Sequence, residues 1–143
     1  MTIIAYDGRT LATDKRATQV GYPLTVTKQR RIPDGMAAAS GDSEITSGLL
    51  TWAEKGRKYE DFPASAKGSN NAQLFVVTHD GQKLLYCGQA DPIRLEDNFL
   101  AFGSGRDYAL AAMHLGMDAK KAAQVACDLD VYCGNGIDTM ELP

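Results

Sequence analysis

The sequence has no apolar run approaching the roughly 18 residues that a membrane-spanning helix needs. Its opening, Met1-Thr2-Ile3-Ile4-Ala5-Tyr6-Asp7, lacks a basic flank and a long apolar core, so no signal peptide is expected. Cysteine is scarce. Cys87, Cys127 and Cys133 form no CxxC pair, and an odd set of scattered thiols predicts a reducing, cytoplasmic setting without a disulfide framework. His79 and His114 have no partner at metal-ligand spacing, so neither a metal nor a cofactor is expected. Charge of one sign is not in excess either. The formal net charge is −3, with acids and bases mixed, which argues against nucleic acid and against a polybasic membrane contact. Lys28, Arg30 and Arg31 form the only dense basic cluster, and a solvated patch accounts for it.

What is present is an ordinary globular composition, 44% apolar and 23% charged over 143 residues, enough for one domain spanning 1–143 with its own core. Thr2 to Tyr6 is short and β-branched, Asp7-Gly8 signals a type I′ hairpin turn, and Arg9 to Thr13 reads as the returning strand. Gly21-Tyr22-Pro23 reads as a turn before a strand at Leu24 to Thr27. Arg30 to Ile32 and Met36 to Ala39 flank a Pro33-Asp34-Gly35 turn. Asp42 or Ser43 can cap a helix whose stripe is Ile45, Leu49, Leu50, Trp52 and Ala53, running to about Arg57. Ala64 to Asn71 is small and polar and reads as a loop. Leu74 to Thr78 and Lys83 to Cys87 form another hairpin, and Ile93 to Asn98 an irregular connection. The strand Phe99 to Phe102 runs into Gly103-Ser104-Gly105, followed by helices at Asp107 to Leu115 and Ala119 to Asp128 and a last strand at Thr139 to Leu142. Strands joined by tight turns, with helices in separate groups, predict two antiparallel sheets and an α+β layered sandwich.

The stretch from Phe102 to Ala112, with Gly-Ser-Gly turning directly into a helix bearing Tyr108-Ala109, resembles the proteasome β-subunit family, and within it the HslV-like branch of N-terminal-nucleophile (Ntn) hydrolases. Asp118 to Ala123, Asp128 to Tyr132, the hairpin from Thr2 to Thr18 and the segment Val26 to Ile32 are similar to the same family in order and spacing. The resemblance implies a four-layer αββα Ntn-hydrolase sandwich of two antiparallel sheets. One helical layer is reduced, because only one helix is readable between the second and third hairpins.

The implied activity is amide-bond hydrolysis by a threonine-type peptidase subunit. A hydroxyl is a poor nucleophile at neutral pH, and a free α-amine, with a pKa near ~8, can take its proton. Carried over by position, Thr2 is the nucleophile once Met1 is removed, Lys28 activates it and Asp14 orients Lys28. Ser104 and Asp128 support the amine, and Ala39 and Gly41 mark the oxyanion-hole region. Without the resemblance the same residues read as a turn acid, a surface lysine, a helix-entry serine and a solvated helix-end acid. Counting back from Ile3 against the family's double-threonine start assigns Met1, not Thr2, to the nucleophile slot, so Thr2 is expected one residue too far in. The implied partners are further copies of the chain in a ring or double ring, an ATPase unfoldase, and a peptide or unfolded-protein substrate. Two other readings stand beside the peptidase: a catalytically inactive proteasome-like ring-forming scaffold, and an amidase of the same nucleophile class acting on a small substrate.

Overall fold

The computed structural model describes all 143 residues, 1–143. The chain divides into two compact units. The first comprises Met1–Lys28 with Asp97–Glu141, the second Gln29–Glu96 with Leu142–Pro143.

The first unit is built on a four-stranded antiparallel sheet. Strands β1 (Ile4–Tyr6) and β2 (Thr10–Asp14) form its central hairpin, in register Ile4 to Thr13. The turn between them is centred on Gly8-Arg9 instead of Asp7-Gly8. Gly8 takes φ +95° and Arg9 does not, and the Asp7 carboxylate accepts the N–H groups of Arg9 and Thr10. A second, separate ribbon follows, β3 (Arg16–Gln19) against β4 (Tyr22–Thr25). Its turn lies at Val20-Gly21, both in the left-handed region, one step before the turn expected at Gly21-Tyr22-Pro23. Pro23 is tolerated inside β4 because that strand has a partner on one side only.

Helices α2 (Arg106–His114) and α3 (Ala119–Leu129) of this unit pack on one face of the four-stranded sheet. Ala119, Ala122, Ala123 and Ala126 recur at i, i+3, i+4 and i+7, and all are fully buried against Ile3, Ala5 and Ala12. Small side chains on both surfaces let helix and sheet approach closely. Asp118 caps α3 by accepting the Lys121 N–H.

The second unit is a five-stranded antiparallel sheet. Its strands, in spatial and chain order, are β5 (Gln29–Ile32), β6 (Gly35–Gly41), β7 (Ala72–Thr78), β8 (Lys83–Tyr86) and β9 (Ile93–Leu95). The last of these falls where an irregular connection was expected. The first unit's sheet is completed by β10 (Leu100–Phe102) beside β1 and β11 (Ile137–Glu141) beside β2. Helix α1 (Ser43–Glu54) is capped by Asp42, whose carboxylate accepts the Glu44 N–H. It buries Leu49, Leu50, Trp52 and Ala53 against β5, β6 and β7. Trp52 sits edge-on to Phe62 and Tyr86, at ring separations of 4.9 and 5.1 Å, and its indole N–H finds the Lys58 carbonyl. The helix ends at Glu54, earlier than expected, because Gly56 and Arg57 both turn left-handed. Two single 3₁₀ turns, Tyr59–Asp61 and Ala64–Ala66, follow and bury Phe62 and Ala66 in this core. No helix is long and apolar enough to cross a membrane.

Candidate functional site

The site is assembled within the first unit. Asp14 ends β2 and has no solvent exposure. Burial of a carboxylate demands that its lone pairs be filled, and four donors fill them. One oxygen accepts the Ile3 N–H at 3.2 Å and the Lys28 ammonium at 2.8 Å. The other accepts the N–H groups of Arg16 at 3.2 Å and Gly134 at 3.0 Å. Lys28, also buried, spreads its remaining protons over the Thr2 hydroxyl at 3.1 Å and the Met1 carbonyl at 3.3 Å.

Thr2 is held through both of its peptide groups by the turn after β10. Its N–H donates to the Ser104 hydroxyl at 3.2 Å, and its carbonyl accepts the Gly105 N–H at 3.1 Å. That grip needs the Gly-Ser-Gly sequence. Gly103 takes φ +99°, and a Cβ there would come within 2.1 Å of the Thr2 carbonyl oxygen. The Thr2 hydroxyl donates to the Met1 carbonyl at 2.6 Å while receiving the Lys28 proton.

Beyond Ser104 the polar chain continues to Asp130. Burial by itself would lift the Asp130 carboxyl. Hydrogen bonds from the Ser104 hydroxyl, the Tyr132 N–H and the Cys133 thiol, with the positive charge at the amino terminus, hold it below the usual carboxylate range. The Cys133 thiol lies 3.4 Å from Asp130 and 3.8 Å from the Ser104 hydroxyl. Burial, then the Asp14 charge, push its pKa up to about 12. Cys127 is raised to about 11 by burial and by Asp14 and Asp128. Neither thiol is poised as a nucleophile. Asp130, Cys133 and Gly134 also line a cleft of about 360 Å³, together with Arg16, Asp128 and Asn135. No three His, Cys, Asp or Glu side chains are grouped to hold a metal ion.

The structure thus brings Thr2, Asp14, Lys28 and Ser104 together. Asp128 is not among them. It lies exposed on α3, accepting from Gln124 one turn earlier, and Asp130 stands beside Ser104 instead. An Asp two residues ahead of an N–H it can accept is a readable turn signal, and Asp130 with Tyr132 has that spacing. Ala39 and Gly41 belong to the second unit, in β6, paired with Leu74 and Ala72. The register expected at the start is corrected. The hydroxyl that meets Lys28 is that of Thr2, not a group at position 1, because Asp14 fixes Ile3 N–H and Lys28 with the same oxygen.

As it stands, the arrangement holds a hydroxyl between an ammonium donor and a carbonyl acceptor. The nitrogen of Thr2 is a peptide nitrogen and cannot take a proton. If residue 1 is removed, the same atoms present an amine and a hydroxyl on one residue, with a lysine on the oxygen side and a serine on the nitrogen side.

No protein-family model matches the chain. It is 31% identical over 78 residues to the ATP-dependent protease subunit HslV of Caldicellulosiruptor saccharolyticus, a match taking in 48% of this chain and 44% of that one. The match therefore spans less than half the length of that curated relative. Among solved structures, HslV of Trypanosoma brucei superimposes with a TM-score of 0.71 at 25% identity, over 98% of both chains. The Thiobacillus denitrificans BPH protein, solved in complex with epoxomicin, gives a TM-score of 0.73 at 16% identity over the whole of both chains. The latter likeness is one of fold, and it is the α+β class expected from the sequence. With these relatives and with the Gly-Ser-Gly turn closed on Thr2, the chain is similar in sequence and in fold to HslV, and it has the fold of the proteasome-like Ntn hydrolases.

Proposed function

We propose that this chain is a threonine-type peptidase subunit working from a free amino terminus at Thr2. What carries the reading is one observation: the Lys28 ammonium bridges Asp14, at 2.8 Å, and the Thr2 hydroxyl, at 3.1 Å. In the proposed reaction the Thr2 amine, freed by loss of Met1, takes the hydroxyl proton directly or through one water. The oxygen attacks the scissile carbonyl and forms a tetrahedral intermediate. Lys28 opposes the negative charge that gathers on the nucleophile. Ser104, with Asp130 in the part the sequence assigned to Asp128, orients the amine. Collapse releases the leaving amine with the proton and leaves an ester on Thr2, which water hydrolyses by the same route.

The relative from Caldicellulosiruptor is named an ATP-dependent protease subunit. By analogy, the proposal extends to self-association in a ring, an ATPase unfoldase as partner, and unfolded polypeptide as substrate.

A peptide epoxyketone tests the nucleophile directly. Its ketone is attacked by a hydroxyl and its epoxide is opened by an amine on the same residue, so only a free amino-terminal threonine closes the ring. Protein produced with Thr2 first should gain the full reagent mass on its first peptide. The Met1-retaining chain and Lys28→Ala should not. Absence of the adduct from the trimmed protein would remove the peptidase reading and leave the family's scaffold role.

A further inference from the structure

Lys28 is the last residue of the first unit, and what precedes it is weakly secured. Residues 26–28 lie in no strand or helix. One residue grips this segment twice. The Lys15 carbonyl accepts the Val26 N–H at 2.7 Å, and the Lys15 ammonium reaches the Thr27 hydroxyl at 3.1 Å. Lys15 is itself anchored on two sides. Its ammonium pairs with Asp138 of β11 at 2.8 Å, and its N–H donates to the Gly134 carbonyl at 3.0 Å. Gly134 is also the residue whose N–H fills the second oxygen of Asp14.

We propose that Lys15 is a positioning residue for Lys28. It pins Thr27, and so the Lys28 backbone, against β2 and β11, holding the Lys28 ammonium between Asp14 and the Thr2 hydroxyl. A hydroxyl to be activated tolerates little displacement of its donor, since misplacement on the order of 1 Å can cost about 10²-fold. Lys28 hangs from a segment with no ladder of its own, so the Lys15 side chain supplies the registration that a strand would otherwise give. Lysine suits this place because one ammonium serves Thr27 and Asp138 at once. For catalysis the proposal rests on the peptidase reading, but the geometry it asserts does not.

Selective acetylation separates the two. The intact chain is treated briefly with acetic anhydride and each lysine is quantified by peptide mass spectrometry. Lys28 should be protected in the parent. In Lys15→Met its labelling should rise about five-fold or more relative to Lys83 and Lys121, while Lys15→Arg stays within about two-fold of the parent. Asp138→Asn should shift Lys28 in the same direction by less. In trimmed protein, Lys15→Met should lower kcat by about five-fold or more with KM within about two-fold, and Lys15→Arg should restore it. Unchanged Lys28 labelling in Lys15→Met, or a rise shared equally by all lysines, would overturn the proposal. If the trimmed parent cleaves nothing, the peptidase reading falls while the labelling pattern still decides the role of Lys15.

Discussion

Replacing Asp14 by Asn tests the electrostatic centre of the molecule without any assumption about activity. The carboxylate is completely buried and accepts from four donors, two on each oxygen. An amide keeps one acceptor and turns the other into a donor. Oriented one way, its NH₂ confronts Lys28 and the Ile3 N–H. Oriented the other way, it confronts the N–H groups of Arg16 and Gly134. In both cases the Lys28 charge, with 9% side-chain exposure, loses its counter-ion. Breaking a buried pair from one side costs about 3–5 kcal/mol. A domain has only about 5–15 kcal/mol in total. At about 3 °C per kcal/mol for a chain of this size, Tm should fall by about 10–15 °C. Lys28→Met should cost less, because the carboxylate keeps its three backbone donors. The double variant should fall short of the sum by about 1–3 kcal/mol, the signature of a direct contact. The assay is denaturant unfolding followed by circular dichroism at one fixed protomer concentration. A loss below about 1 kcal/mol in Asp14→Asn, or strict additivity, would refute the buried-pair account.

Gly103→Ala should destabilise by about 2 kcal/mol or more, since it adds both a strained φ and a Cβ against the Thr2 carbonyl; thermal unfolding reads this out. The Cys133 thiol keeps its proton until about pH 12 when folded but ionises near its ordinary 9.0 when unfolded. The unfolded state therefore holds fewer protons in that window, and stability should decline as pH rises above about 9, less steeply in Cys133→Ala. In trimmed protein, Lys28→Ala should lower peptide cleavage by at least about 10²-fold, measured with a fluorogenic peptide. Light scattering should find an oligomer at micromolar concentration, and a monodisperse species of one 15.4 kDa chain would contradict the ring.

Elements that bury a periodic face were legible in the sequence. The alanines of α3 and the Leu49, Leu50, Trp52, Ala53 stripe of α1 announce themselves because one side of each helix meets a core. Strand β3 and strand β9 were not legible, for the opposite reason. Gln19 and most of β9 are exposed, so burial leaves no alternation to read. Asp14 and Lys28 are 14 residues apart, and nothing local says that they touch; only the resemblance suggested it. Thr2 was expected one residue too far in because the register was counted back from Ile3 against a double-threonine start, whereas here it is set by the two donors that share one Asp14 oxygen. Asp130 was passed over in favour of Asp128. The distinguishing contact is with Ser104, more than twenty residues away, which no helical period encodes.

Met1 is 54% exposed while Thr2, its neighbour, is 2% exposed. The boundary between solvent and interior runs through the single peptide bond that the proposed peptidase would need cut. Its carbonyl oxygen is occupied by Lys28 and by the Thr2 hydroxyl, and its nitrogen by Ser104. An aminopeptidase must draw that carbonyl into its own active site, which in the folded chain means undoing three hydrogen bonds and lifting Thr2 out from under the Gly-Ser-Gly turn. Under the proposed function, trimming would therefore compete with folding, and maturation would become a matter of timing. On that reading, a chain trimmed before the Gly-Ser-Gly turn closes over Thr2 would carry a free threonine amine, and one that closes first would shield its first peptide bond from the trimming enzyme.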